Sequence, residues 1–125
     1  MELYGHQHSY ERLWPVYDTE VRNGTTDPLN PYNDAKAPIH LVTGSAGCEE
    51  KHAPFLGTPG KWSAFRSDDY GFSMMTIHNK THIEVEQFSD DQDKIIDKFV
   101  IVKNQPYPPF YHGESSALFI EPVSF

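Results

Sequence analysis

Hydrophobic and polar residues alternate most regularly in the second half of the chain. Between residues 81 and 88, Ile83 and Val85 are each flanked by histidine or glutamate. A period of two is typical of a strand with one face buried and the other solvated. β-branched and other apolar residues dominate the runs on either side, and polar turn residues separate them. The pattern predicts a β-meander with strands over 72–77, 81–88 and 95–102.

The first half of the chain has shorter apolar runs between residues that favour turns. The run 38–43 is β-type and ends at a glycine-rich stretch. Segments 23–38 and 49–60 are expected to be loops, because Gly and Asn tolerate positive φ and Pro blocks helix formation. No long helical pattern or internal repeat is present. We therefore divide the chain into a β-rich segment, 1–104, and a Pro-rich tail, 105–125, expected to be extended or poorly ordered.

Composition narrows the class of protein. The 125 residues fit one domain or a piece of a larger one, and 38% hydrophobic residues are enough for a core. The 18 acidic residues exceed the 10 basic ones, giving a formal charge of -8. This balance argues against nucleic-acid partners and anionic lipid, which select for Lys and Arg. No apolar run approaches the roughly 18 residues of a membrane span.

Cys48 is the single cysteine, so an internal disulfide is excluded. A nucleophilic role is disfavoured because no recognised motif places a His or Asn beside it. A buried thiol and a disulfide to a cysteine outside this chain both remain open.

Residues 5–12 read Gly-His-Gln-His-Ser-Tyr-Glu-Arg. Neutral imidazole is a good ligand for zinc, iron and manganese-like ions, and on a turn two such rings can serve neighbouring ions. Gly5 is expected to let the backbone approach such a site closely. A His-x-His pair alone is weak evidence, but the full string is much rarer by chance. His6 and His8 are therefore candidate metal ligands.

This string resembles the last metal-binding motif of the purple acid phosphatases, members of the dinuclear metallophosphoesterase superfamily. Further segments resemble the family's C-terminal region and follow in the same order: 14–17, 37–50, 63–66, 69–72 and 89–92. The Gly-Ser-Ala-Gly-Cys-Glu-Glu run is most similar to the animal iron/zinc-type branch. The resemblance covers residues 1–103, and the tail from Asn104 has no recognised counterpart.

The resemblance implies an α/β fold, with this chain as the C-terminal, mostly β portion of an αββα sandwich, as a fragment. It implies hydrolysis of phosphomonoesters at acidic pH by a metal-bound hydroxide. His8 would bind a ferric ion, and His6 a divalent zinc, manganese or iron ion. The family's other ligands are two aspartates, a tyrosine, an asparagine and a third histidine, which would precede residue 1. The chain alone is expected to be inactive, and no catalytic residue is assigned within it.

Three residues after the glycine-rich run are candidates for the substrate rim. In the family this loop approaches the active site, so Glu49, Glu50 and His52 are possible substrate contacts; the alternative is a solvated acidic loop. Of the remaining histidines, His40 and His78 are expected to be structural, and His82 to face solvent.

Asn23 and Asn79 begin Asn-x-Thr sequons in expected turns, where a glycan can be accommodated. They favour a secreted or lysosomal-type glycoprotein whose signal peptide would lie upstream. The oligomeric state, the physiological substrate and the identity of the divalent metal are left open.

Two other functions are kept as alternatives to the phosphatase. One is a small, secreted β-domain without catalytic activity. The other is a mononuclear metal-binding module in which His6 and His8 act with Glu11 or Glu49.

Overall fold

The computed structural model describes residues 1–24, 30–49, 51–52 and 54–104. These residues form nine strands and no helix. In chain order the strands are β1 (Glu2–Tyr4), β2 (Tyr10–Leu13), β3 (Val16–Tyr17), β4 (Glu20–Val21), β5 (His40–Thr43), β6 (Ser63–Ser67), β7 (Gly71–Ile77), β8 (His82–Ser89) and β9 (Lys94–Val102). This part of the chain has no helix with the length and hydropathy of a membrane span. The expected tail lies outside the described residues.

The strands form two main sheets and one short hairpin. The first sheet has the order β1-β5-β2-β6, in which β1 runs parallel to β5 and the other neighbours are antiparallel. The second is the antiparallel meander β7-β8-β9. Its strands confirm the meander predicted from the hydrophobic pattern, and β5 confirms the predicted strand near residue 40.

β2, β6 and the β3–β4 hairpin were not predicted as strands from the hydrophobic pattern. β6 contains two serines and an arginine and carries no hydrophobic alternation, and its pairing with β2 places it in the sheet. The β3–β4 hairpin has two-residue strands. Its turn residues, Asp18 and Thr19, both have positive φ, as in the tight turns that suit a twisted hairpin. Gly and Asn are the usual signal for such a turn, and neither is present.

One hydrophobic core joins the two main sheets. Tyr10 and Leu41 enter it from the first sheet, and Val85 and Phe99 enter it from the meander. The alternation in β8 is as expected, since Val85 is buried on the inner face and Ile83 packs against the same core. The inner faces of β2, β5, β8 and β9 are therefore held together by this core.

Candidate metal centre

His6 and His8 lie on the turn between β1 and β2. His6 is exposed, His8 is half-buried, and the next residue, Ser9, is fully buried. The Ser9 amide donates to the Gln7 carbonyl at 2.9 Å, and the Gly44 amide donates to the Ser9 carbonyl at 3.1 Å. These backbone bonds fix the course of the turn, so the two imidazoles start from a defined backbone.

Gly44, at the end of β5, lies directly beneath this turn. A Cβ atom at this position would overlap the Gln7 carbonyl and lie 2.7 Å from the Gly5 carbonyl. A Cβ at Gly5 would meet nothing within 4 Å among the described neighbours. Within the described residues, the glycine that permits close backbone packing under the turn is therefore Gly44, and the role of Gly5 beside a metal site stays a prediction.

A buried carboxylate supports β2 from the meander. Asp97 Oδ2 accepts hydrogen bonds from the Tyr10 hydroxyl and from Arg12 Nε, both at 2.7 Å, and Asp97 Oδ1 accepts from Arg12 Nη2 at 2.9 Å. Burial raises the pKa of the Tyr10 phenol well above its usual value, and the neighbouring carboxylate adds to this rise. Burial would lower the pKa of Arg12, but the bonds to Asp97 and Tyr32 raise it, so the guanidinium stays charged.

Tyr32 completes this support from the loop before β5. Arg12 Nη1 donates to the Tyr32 hydroxyl at 2.7 Å, and that hydroxyl donates to the Leu13 carbonyl at 2.9 Å. Burial raises the pKa of Tyr32, although the charge of Arg12 opposes the rise. The Arg12 guanidinium also lies 5.1 Å from the centre of the Phe99 ring, where a cation is attracted to the ring face. Two residues of the Gly-His-Gln-His-Ser-Tyr-Glu-Arg string, Tyr10 and Arg12, thus anchor β2 directly after the turn.

Polar side chains between the two main sheets also hold the end of β5, next to the turn. Gln87 Nε2 donates to Ser45 Oγ at 3.1 Å, and Ser73 Oγ donates to Gln87 Oε1 at 2.6 Å. Thr43 Oγ1 lies 2.6 Å from Ser73 Oγ. Thr43 and Ser45 flank Gly44, so these bonds fix the end of β5 against the meander.

Sequence reasoning missed Asp97, Tyr32 and Gln87 as supports of the turn. Asp97 and Gln87 had a usable signal, because each is a polar residue at an inward-facing position of a strand. Buried polar groups at such positions are usually hydrogen-bonded. Tyr32 lies in a loop segment and had no comparable signal.

The structure separates the three candidate rim residues. His52 is half-buried and lies beside the turn, with Nδ1 3.2 Å from the carbonyl oxygen of His8. Glu49 is exposed, and Glu50 lies outside the described residues. Cys48 is half-buried and has a free thiol that donates to the Lys51 carbonyl at 2.9 Å. A substrate contact by any of the three rim residues stays a prediction.

Other candidate residues lie away from this turn. His78 is exposed, with Nε2 4.0 Å from a carboxylate oxygen of Glu84. His82 is half-buried, and its Nδ1 lies 2.8 Å from Thr81 Oγ1, so it faces solvent less than expected. Asn79 is exposed and its Oδ1 accepts from the Thr81 amide at 2.9 Å. Asn23 is also exposed. Both sequon asparagines are therefore accessible at their side chains.

The donor set is chemically suitable for metal but incomplete. No group of three or more His, Cys, Asp or Glu side chains that could hold an ion occurs among residues 1–24, 30–49, 51–52 and 54–104. Two imidazoles on one turn, on a fixed backbone, fit a zinc- or iron-type centre as a partial ligand set.

Two comparisons of sequence place this chain among known proteins. A family profile described as iron/zinc purple acid phosphatase-like protein C matches residues 37–98. Acid phosphatase type 7 of Danio rerio is 52% identical over 109 residues, which cover 86% of this chain and 24% of that protein. The chain belongs to the purple acid phosphatase family. Acid phosphatase type 7 of Mus musculus is 46% identical over 113 residues, covering 90% of this chain and 25% of that protein.

A solved structure supports the same assignment of fold. Purple acid phosphatase from yellow lupin seeds (Lupinus luteus) matches with a TM-score of 0.69 and 29% identity, covering 80% of this chain and 17% of that chain. The family, its animal branch and the mostly β, C-terminal character of the segment are thereby confirmed. This purple acid phosphatase segment spans about a quarter of the length of the curated relatives quoted above.

Proposed function

We propose that the full-length protein carrying this segment is an acid phosphatase, and that the segment supplies two of its metal ligands. The observation that carries the proposal is the His6–His8 turn, held on a buried base in a chain of the purple acid phosphatase family. Phosphomonoesters are the substrate class. The remaining ligands and most of the substrate contacts belong to the part of the protein outside this segment.

In this proposal the segment's own residues bind the metal ions and orient the metal ligands. His8 would hold the ferric ion and His6 the divalent zinc, manganese or iron ion. When bound, such a pair supplies positive charge for the phosphate and lowers the pKa of water, which makes a nucleophile available at the acidic pH expected for the reaction. The bond from Gly44 to Ser9, and the Asp97 network under β2, hold the backbone that carries the two imidazoles. Glu49 and Glu50 remain candidates for the substrate rim.

The proposal also covers the cellular location, glycosylation and partners of the enzyme. A secreted or lysosomal-type location agrees with an acid phosphatase and with glycans on Asn23 and Asn79, whose side chains are exposed. The net charge of -8 disfavours nucleic acid as a partner.

The test uses the full-length protein with His6→Ala, His8→Ala and the matched control His78→Ala, an exposed histidine outside the turn. Each ligand variant is expected to lose metal, measured by elemental analysis, and to lose at least about a hundredfold in kcat for p-nitrophenyl phosphate. His78→Ala is expected to keep both. Full metal content and full rate in His6→Ala and His8→Ala would overturn the proposal.

Two alternatives concern the segment in isolation: a non-catalytic β-domain, and a mononuclear metal module that uses His6, His8 and Glu11 or Glu49, although these residues do not form a group of three donors in the described part of the chain. Elemental analysis of purified 1–125 decides between them. One tightly bound zinc per chain supports the module. No bound zinc excludes it and leaves a non-catalytic β-domain for the isolated segment.

A further inference from the structure

His52 joins three parts of the molecule that are distant in sequence. Its Nδ1 lies 3.2 Å from the carbonyl oxygen of His8, and its ring centre lies 3.7 Å from that of Tyr70. The sequence separates His52 from His8 by 44 positions. The contact is therefore made by the fold and is not a local feature of the loop.

The bond to His8 determines the state of the ring. A carbonyl oxygen can only accept, so Nδ1 must carry a proton for this bond to form; in the neutral ring Nε2 then carries the lone pair. Nε2 is buried and has no hydrogen-bond partner among the described residues. The hydrogen bond of the His52 ring is therefore made with the backbone of a candidate metal ligand.

Tyr70 fixes the other side of the ring. The Tyr70 amide donates to Asp91 Oδ2 at 2.8 Å, and the Tyr70 carbonyl accepts from the Asp90 amide at 2.8 Å. Both aspartates belong to the turn between β8 and β9. A path of direct contacts thus runs from this turn through Tyr70 and His52 to His8.

We infer that His52 is a positioning residue, which holds the backbone of His8 so that its imidazole meets the metal in one direction. The backbone bonds at Ser9 and Gly44 hold the later part of the turn. Among the described residues, the His52 bond is the one made to the backbone carbonyl of His8 itself. Groups that orient a ligand typically change metal affinity by tenfold to a hundredfold. The inference rests on the proposed function only in taking His8 as a ligand.

The test uses two amide side chains, Asn and Gln, whose NH2 groups take the place of different nitrogens of the imidazole ring. In His52→Asn the side-chain NH2 takes the place of Nδ1 and can still donate to His8, whereas in His52→Gln it takes the place of Nε2 and cannot. His52→Phe keeps a ring against Tyr70 without a donor, and His78→Gln is the control. The measurement is amide hydrogen exchange at Ser9 and Gly44 in the metal-free, full-length protein.

Exchange at both amides is expected to be about fivefold faster in His52→Gln and His52→Phe, the factor for one lost hydrogen bond of average strength. His52→Asn and His78→Gln are expected to stay within twofold of the wild type. The inference is wrong if His52→Gln exchanges like the wild type, or if His52→Asn exchanges as fast as His52→Gln.

A second readout separates this inference from the proposed function. In the metal-loaded protein, iron release to a chelator is expected to be about tenfold faster in His52→Gln than in His52→Asn, because His8 is the proposed ligand of the ferric ion. If the wild type binds no metal while the exchange pattern holds, the phosphatase proposal fails and the contact between His52 and the turn stands. If the wild type binds metal and all His52 variants release it at the same rate, positioning by His52 is excluded.

Discussion

At the scale of single residues, Asp97 supports the strand that follows the turn carrying the histidines. Its side chain is 6% exposed and that of its partner Arg12 is 13% exposed. The pair is bidentate, and the Tyr10 hydroxyl is a third donor to the same carboxylate. A buried ion pair often adds little net stability over apolar residues, but removing one partner leaves an uncompensated charge in the core.

Asp97→Asn is expected to lower the free energy of unfolding by about 3 kcal/mol, because the Arg12 guanidinium stays buried without its counter-charge. Urea unfolding followed by tryptophan fluorescence measures the change. The control is Lys98→Gln at the next position, where the ion pair with Glu86 is exposed and is worth less than about 1 kcal/mol. Equal effects of the two substitutions would contradict the importance assigned to Asp97.

At the scale of elements, the turn between β8 and β9 is tied to the start of β7. Asp69 Oδ2 accepts from Ser89 Oγ and from Gln92 Nε2, both at 2.6 Å. The Tyr70 amide donates to Asp91 in the same turn. The path from this turn to His52 therefore begins at residues whose hydrogen bonds depend on ionised carboxylates.

This tie is expected to weaken at low pH. The hydrogen bonds from Ser89 and Gln92 lower the pKa of Asp69 from its ordinary value of 3.8. A lowered pKa in the folded state contributes stability that is complete above the unfolded-state pKa and is lost as the pH falls through the folded-state pKa. Asp69→Asn should therefore reduce stability at pH 7 and flatten its dependence below pH 5. The carboxylate is partly solvated, so the effect is expected to be less than about 1 kcal/mol.

Urea unfolding at a series of pH values from 3 to 7 tests this expectation, with Asp68→Asn as the control because Asp68 is exposed. If Asp69→Asn and Asp68→Asn give parallel curves, the hydrogen bonds to Asp69 do not contribute to stability.

The elements differ in how far the sequence could predict them. The meander was predictable because β8 and β9 have one buried face, which imposes alternation on the sequence. β6 was not, because Ser63, Arg66 and Ser67 carry no such pattern, and only its partner β2 determines its conformation. The same limit applies to the site. His6 and His8 could be identified from the local sequence. The supporting roles of Asp97 and His52 could not, because they depend on contacts between residues that are 85 and 44 positions apart in the chain.

At the scale of the whole molecule, the four-stranded sheet has one edge at β1. Leu3 and Tyr4 on this strand are 51% and 44% exposed. β1 is parallel to β5, and parallel strands are normally covered on both faces and paired within a larger sheet. β1 leads directly into Gly5 and His6, so a strand or loop that borders it would also lie near the turn with the two candidate metal ligands.

The outer edge of β1 is expected to be paired in the full-length protein, which the length of the relatives makes a much larger molecule than this segment. The Glu2 amide donates to the Ile39 carbonyl at 2.8 Å, so alternation along the strand turns the Leu3 amide away from β5. Hydrogen exchange at Leu3 should therefore be at least tenfold slower in the full-length protein than in the 1–125 segment, since an added strand protects it. The Tyr4 amide, on the β5 side, is the internal control and should change much less. Equal exchange at Leu3 in the two proteins would mean that β1 remains an edge strand, and the missing metal ligands would then have to reach His6 and His8 from another direction.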